Sequence, residues 1–85
     1  MFYVYILKSQ KDNKLYIGFT NDLKNRLIRH NGRKVRSTKG RLPLKLIYYE
    51  AYQSMEDAKN REKQIKYFGK VYSQLKRRIE KSLKA

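Results

Sequence analysis

The sequence has 85 residues, room for one domain with a small core. It contains no cysteine, which excludes a disulfide framework or a thiolate zinc site, and no apolar run near the ~20 residues that a membrane-spanning helix needs. Twenty-two Lys and Arg against seven Asp and Glu leave a net charge of +15, which favours a polyanionic partner, nucleic acid ahead of an anionic membrane surface. The first residues, MFYVYILK, are too short and too aromatic for a signal peptide, so a cytoplasmic protein is expected. Phe2 to Leu7 reads as a buried strand. Lys11-Asp12-Asn13-Lys14 is a polar turn, and Leu15 to Phe19 completes a hairpin. Thr20-Asn21-Asp22 offers capping side chains for a helix reaching about Asn31, stopped by Gly32. A loop to Pro43 and a third strand from Leu44 to Tyr52 come next. Ser54-Met55-Glu56-Asp57 resembles a capping box and opens a helix to about Phe68. From Lys70 to about Leu83, Tyr72, Leu75, Ile79 and Leu83 recur at helical spacing on a basic background. The order β-β-α-β-α-α predicts an α+β domain over 1–85: a small three-stranded antiparallel sheet flanked by helices, its core at about 2–69 and a basic helix at about 70–83.

Three groups of polar residues fall where core is expected. Antiparallel pairing with an even loop puts Tyr5 and Tyr16 on the same sheet face in any register. Tyrosines are also ordinary strand and core residues, and this chain has eight. On the first helix, Leu23, Arg26, Leu27 and His30 stand at i, i+3, i+4 and i+7, so two polar residues share the inward stripe. A snorkelling arginine and a hydrogen-bonded histidine would explain each singly. On the second helix, Met55, Ala58, Glu62 and Ile65 share a face, so Glu62 interrupts an apolar stripe. A carboxylate there needs a cation, a metal ion or hydrogen bonds, and a neighbouring Lys or Arg is the plainest partner. Polar residues at core positions are where function overrides local rules.

At these residues the chain resembles the GIY-YIG nuclease superfamily, and more closely the small single-domain proteins related to the N-terminal domain of the excinuclease C subunit. Tyr16-Ile17-Gly18 is the second half of the namesake motif, and Tyr3-Val4-Tyr5 stands for the first half, keeping its tyrosine. Asn21-Asp22-Leu23-Lys24-Asn25-Arg26, with His30 four residues on, matches the helix signature. The stretch from Ala58 to Lys66 matches the small-protein subgroup, with Glu62 at its metal-ligand position. The resemblance covers about Phe2 to Gly69. It implies three antiparallel strands with flanking helices and a metal-dependent endonuclease with Tyr5, Tyr16, Arg26, His30 and Glu62 as catalytic residues. Glu62 would hold one Mg²⁺ or Mn²⁺, Tyr5 or Tyr16 would deprotonate water, Arg26 would pair with the scissile phosphate, and His30 would orient a partner or carry a proton. The sequence departs from the family pattern at Tyr3, in place of glycine. It departs again at Phe19, where the excinuclease branch has a basic residue, and it lacks the asparagine some members carry after the glutamate.

The loop from Gly32 to Arg41 carries Arg33, Lys34, Arg36, Lys39 and Arg41 and no acid, a candidate clamp for a phosphate backbone to which Ser37 and Thr38 would add hydrogen bonds. Lys76 and Arg77, with Arg78 and Lys81, would extend it along the last helix. The expected substrate is nucleic acid, DNA ahead of RNA, with no membrane partner. Two other functions remain open on these residues: a nucleic-acid-binding module of the same fold without cleavage, and a basic subunit that binds structured RNA independently of metal.

Overall fold

Residues 2–7 contain no charged side chain, the pattern of a strand covered on both faces. In the computed structural model, which describes residues 1–84, this segment is the middle of a three-stranded antiparallel sheet. Strand β1 (Phe2–Ser9) lies between β2 (Leu15–Thr20) and β3 (Leu44–Tyr52). Helix α1 (Leu23–Asn31) follows β2, while α2 (Met55–Tyr67), α3 (Gly69–Arg78) and the short α4 (Glu80–Leu83) follow β3. The α+β architecture is the one the sequence predicts.

Alternation along β1 divides the core. Val4 and Ile6 pack with Ala58, Ile65, Leu75 and Ile79 on one face, whereas Tyr5 and Leu7 pack with Leu44, Leu23 and Leu27 on the other. The sheet therefore sits between α1 on one side and α2 with α3 on the other. Strict alternation along β3 would keep Leu44, Leu46, Tyr48, Glu50 and Tyr52 on one face. The β1–β3 register slips between Ile6↔Tyr48 and Leu7↔Leu46, leaving Ile47 as an extra residue. This bulge turns Tyr48, Glu50 and Tyr52 toward the α2 side.

The connections are fixed by side chains. Asp22 caps α1 by accepting from the Asn25 N–H at 3.2 Å, and Ser54 caps α2 by accepting from the Asp57 N–H at 3.3 Å. Gly32 follows α1 as expected, although the left-handed residue there is Arg33 (φ 62°). The Asn31 side chain ties the long loop to β3, accepting from the Leu44 N–H at 2.8 Å and donating to the Leu44 carbonyl at 3.1 Å. One expectation is corrected: the C-terminal segment is two helices. Ile79 leaves helical geometry (φ −112°, ψ 29°) while staying buried, and the Lys8 ammonium holds the second piece by donating to the Leu83 carbonyl at 2.7 Å. Among the described residues, no helix is long and apolar enough to cross a membrane.

Candidate active site

β2 is an edge strand, and between it, α1 and α2 lies a cleft of about 210 Å³. Tyr5, Tyr16, Arg26, His30 and Glu62 all line it. The register explains the first two: Tyr5 pairs with Gly18 and Leu7 with Tyr16, so both phenols rise from the α1 face. Gly18 leaves the space the Tyr5 ring needs. A Cβ built at Gly18 would lie 2.3 Å from the Tyr5 hydroxyl oxygen, closer than any real contact.

At the back of the cleft, the Tyr5 hydroxyl is the centre of a polar chain. It lies 3.0 Å from His30 Nε2 and accepts from Arg26 Nε at 3.2 Å. His30 Nδ1 lies 2.8 Å from Thr38 Oγ1. Burial, then the charges of Arg26 and Arg29, holds the His30 pKa below 6.5, so the imidazole is neutral near pH 7. Arg26 can only donate, so the phenol keeps its own proton to give to Nε2, and in that tautomer Nδ1–H donates to Thr38. Arg26 and His30 occupy successive turns of α1 on its inward face, as their spacing predicts. Thr38 corrects the sequence reading: it is 1 % exposed and committed to His30, so it does not face a phosphate backbone.

Glu62 reaches the cleft from α2, and its carboxylate pairs with Lys66 Nζ at 3.2 Å, an i,i+4 contact with both side chains partly exposed. Glu62 is, among the described residues, the only carboxylate lining this cleft, against Arg26 and Lys66 as fixed cations. Among the described residues no three His, Cys, Asp or Glu gather around one point. A cation held wholly by protein ligands is therefore not what this site is built for. One carboxylate in a cleft that two phenols also line does fit a hard divalent ion whose shell is completed by waters and a substrate phosphate, the usual way Mg²⁺ is held.

Arg33, Lys34, Arg36 and Lys39 are exposed on the loop that Thr38 ties to His30, and Ser37 and Thr38 of that loop line the cleft. Arg41 is partly engaged, 3.2 Å from Asp12. The structure does not bring Lys76 and Arg77 to this loop. They stand on α3, behind the sheet, and the Lys76 ammonium sits 4.5 Å from the centre of the Tyr72 ring. A wider hollow of about 750 Å³ shares Arg26 and Phe19 with the cleft, but its one acid, Asp22, is spent on capping α1.

A second polar cluster, unnoticed in the sequence, lies on the α2 face. Glu50 accepts from Arg61 Nε at 2.9 Å, from Arg61 Nη2 at 3.1 Å, from the Tyr48 hydroxyl at 2.5 Å, and from the Tyr52 hydroxyl. Burial alone would raise the Glu50 pKa, but the bonds from Arg61 and the two phenols hold it below the ordinary carboxylate value. Burial and the adjacent carboxylate push both phenols up to about 12. With its oxygens saturated, Glu50 has no capacity left for a metal ion. The cluster sets the rotation of α2, and with it the side from which Glu62 emerges.

The chain matches the family model described as the GIY-YIG catalytic domain over residues 1–70. It is 48 % identical over 67 residues to a UPF0213 protein of Clostridium perfringens, covering 78 % of this chain and 71 % of that one. It is 41 % identical over 69 residues to a UPF0213 protein of Staphylococcus saprophyticus, covering 80 % and 83 %. The solution NMR structure of the UPF0213 protein BH0048 from Bacillus halodurans superposes with a TM-score of 0.55 at 35 % identity, covering 88 % of this chain and 82 % of that one. The cleft built on Tyr5, Tyr16, Arg26, His30 and Glu62 thus sits inside the matched region, and the chain belongs to the GIY-YIG family, of nuclease type, alongside the small UPF0213 proteins.

Proposed function

We propose that this protein is an endonuclease that hydrolyses phosphodiester bonds in nucleic acid, DNA ahead of RNA, using one Mg²⁺ or Mn²⁺ held by Glu62. The observation that carries this reading is the Tyr5 hydroxyl, set between a neutral histidine and an arginine in the cleft that also holds a single carboxylate.

When bound, the divalent ion would act as a Lewis acid on a phosphate oxygen and offset charge developing in the transition state. The remaining work falls to the chain's own groups. Arg26 spends only Nε on Tyr5, and among the described residues its terminal nitrogens make no hydrogen bond, which leaves them to pair with a non-bridging phosphate oxygen. The phenol is the base. As water attacks phosphorus, its proton passes to the Tyr5 oxygen while the Tyr5 proton moves to His30 Nε2, and the Arg26 charge favours the phenolate character that develops. The P–O bond to the leaving oxygen breaks, and that oxygen is protonated from solvent. Thr38 holds the imidazole so that Nε2 is the acceptor. Tyr16, at the mouth of the same face, is left to position the water or phosphate. The basic loop and the net charge of +15 supply affinity for the backbone without reading base sequence.

The Glu62–Lys66 pair favours a second reading, in which the carboxylate is satisfied structurally and the protein binds nucleic acid without cutting it. Labelled single-stranded, duplex and branched DNA and RNA, incubated with Mg²⁺, Mn²⁺ or EDTA, separate the two. Cutting that requires metal supports the nuclease and names its substrate, whereas binding without cutting under any metal supports the module.

A further inference from the structure

Lys66 stands in the cleft with no role in the mechanism above. Its ammonium is 3.2 Å from Glu62 and lines the same cavity as Tyr5, Arg26 and His30. An i,i+4 pair this exposed adds little to stability. Its effect on the electrostatics of the site is larger. With His30 neutral, the cleft holds one negative charge against two positive ones. A divalent cation entering alone must oppose both Arg26 and Lys66 and displace the partner Glu62 already has. A phosphodiester supplies the missing negative charge and gives the ammonium somewhere else to go. Lysine suits such an exchange, being a point charge with three donors on a flexible four-carbon stem.

We propose that Lys66 is a further catalytic residue: it neutralises Glu62 in the free protein and transfers to a non-bridging phosphate oxygen when nucleic acid arrives, which opens Glu62 to the divalent ion. The inference rests on the nuclease reading and assigns to it an order, with metal and nucleic acid binding cooperatively and each raising the affinity for the other. Phe19 brings no charge to the cleft. The residue after Gly18 projects an aromatic ring, stacked on Phe2, and the second cation of the cleft comes from α2.

The test is equilibrium Mn²⁺ binding followed by EPR, with and without a phosphorothioate-linked oligonucleotide, for wild type, Lys66→Met and Lys66→Arg. Wild type should bind Mn²⁺ weakly alone and about tenfold more tightly with the oligonucleotide. Removing a unit charge from about 5 Å of a divalent ion in near-aqueous surroundings is worth roughly tenfold, so Lys66→Met should bind Mn²⁺ alone about tenfold more tightly than wild type. Its gain from the oligonucleotide should shrink to about threefold or less, and Lys66→Arg should behave as wild type. Adding Glu62→Gln to Lys66→Met should erase the gain. Equal Mn²⁺ affinity of wild type and Lys66→Met without oligonucleotide, at any strength, overturns the proposal, as does a gain that survives Glu62→Gln. Failure of wild type to cut any nucleic acid would instead overturn the nuclease reading, so the two failures are distinguishable.

Discussion

Tyr5 and Gly18 face each other across β1 and β2, and the phenol crosses directly over the glycine to reach His30 and Arg26. Any side chain at position 18 forces the ring aside, since both its hydroxyl oxygen and its terminal ring carbon lie within 2.4 Å of the added carbon. Gly18→Ala is therefore expected to cost about 1–3 kcal/mol of stability, typical of overpacking, and to lower cleavage at least a hundredfold. Urea unfolding and a single-turnover assay check the two effects. Unchanged activity in a folded variant would show that Tyr5 need not occupy its present position.

In the proposed mechanism Thr38 is a positioning residue, acting only through its contact with His30 Nδ1. Thr38→Val keeps the shape and removes the acceptor, and should lower kcat about tenfold or more with KM nearly constant, while Thr38→Ser restores wild-type values. A parallel rise in KM, or no rescue by serine, would mark Thr38 as a packing residue only.

His30 is the chain's single histidine, so imidazole protonation can be assigned to it directly. Its native pKa lies below 6.5, the value expected in the unfolded chain. Below pH 6.5 the unfolded state therefore binds more protons than the native one, and stability falls with acidification until the native imidazole also protonates. The acid limb of activity should likewise lie below pH 6.5. NMR titration of the imidazole measures the midpoint, and a value at or above 6.5 would contradict the buried, neutral assignment.

Glu50 and Arg61 join β3 to α2 through a bidentate pair with side chains 15 % and 24 % exposed. Glu50→Ala strands a guanidinium and two phenols, and should cost about 2–3 kcal/mol, below the full range for a completely buried pair. For a domain of this size that lowers Tm by roughly 10–20 °C. The raised pKa values of Tyr48 and Tyr52 give the same cluster an alkaline limit. Stability from their neutral forms is complete below pH 10 and lost as pH rises toward about 12. Thermal melts against pH, with and without Glu50→Ala, test both statements.

Much of the candidate cleft was legible because its lining obeys simple periods. The 3.6-residue repeat placed Arg26 and His30 on one helix face, the two-residue repeat placed Tyr5 and Tyr16 on one sheet face, and Glu62 stood out as an acid among apolar neighbours. The Glu50 cluster was hidden by the bulge at Ile47, since alternation from Leu44 would assign Tyr48, Glu50 and Tyr52 to the α1 side. The spacing Tyr48, Glu50, Tyr52 was still a signal, an acid flanked by tyrosines on one strand face. Thr38 escaped because loop residues have no period, and only the fold returns residue 38 to residue 30. The break at Ile79 is a matter of packing, since Leu75, Ile79 and Leu83 keep helical spacing through it.

The central claim is that Glu62 serves cleavage and is dispensable for holding nucleic acid. Single-turnover cleavage and equilibrium binding of one substrate, measured side by side for wild type and Glu62→Gln in Mg²⁺ or Mn²⁺, test it directly. The account predicts that the variant loses cleavage by at least a thousandfold while its affinity, measured in EDTA, stays within about threefold of wild type. Cleavage by Glu62→Gln at the wild-type rate, or an equal loss of binding and cleavage, would contradict it.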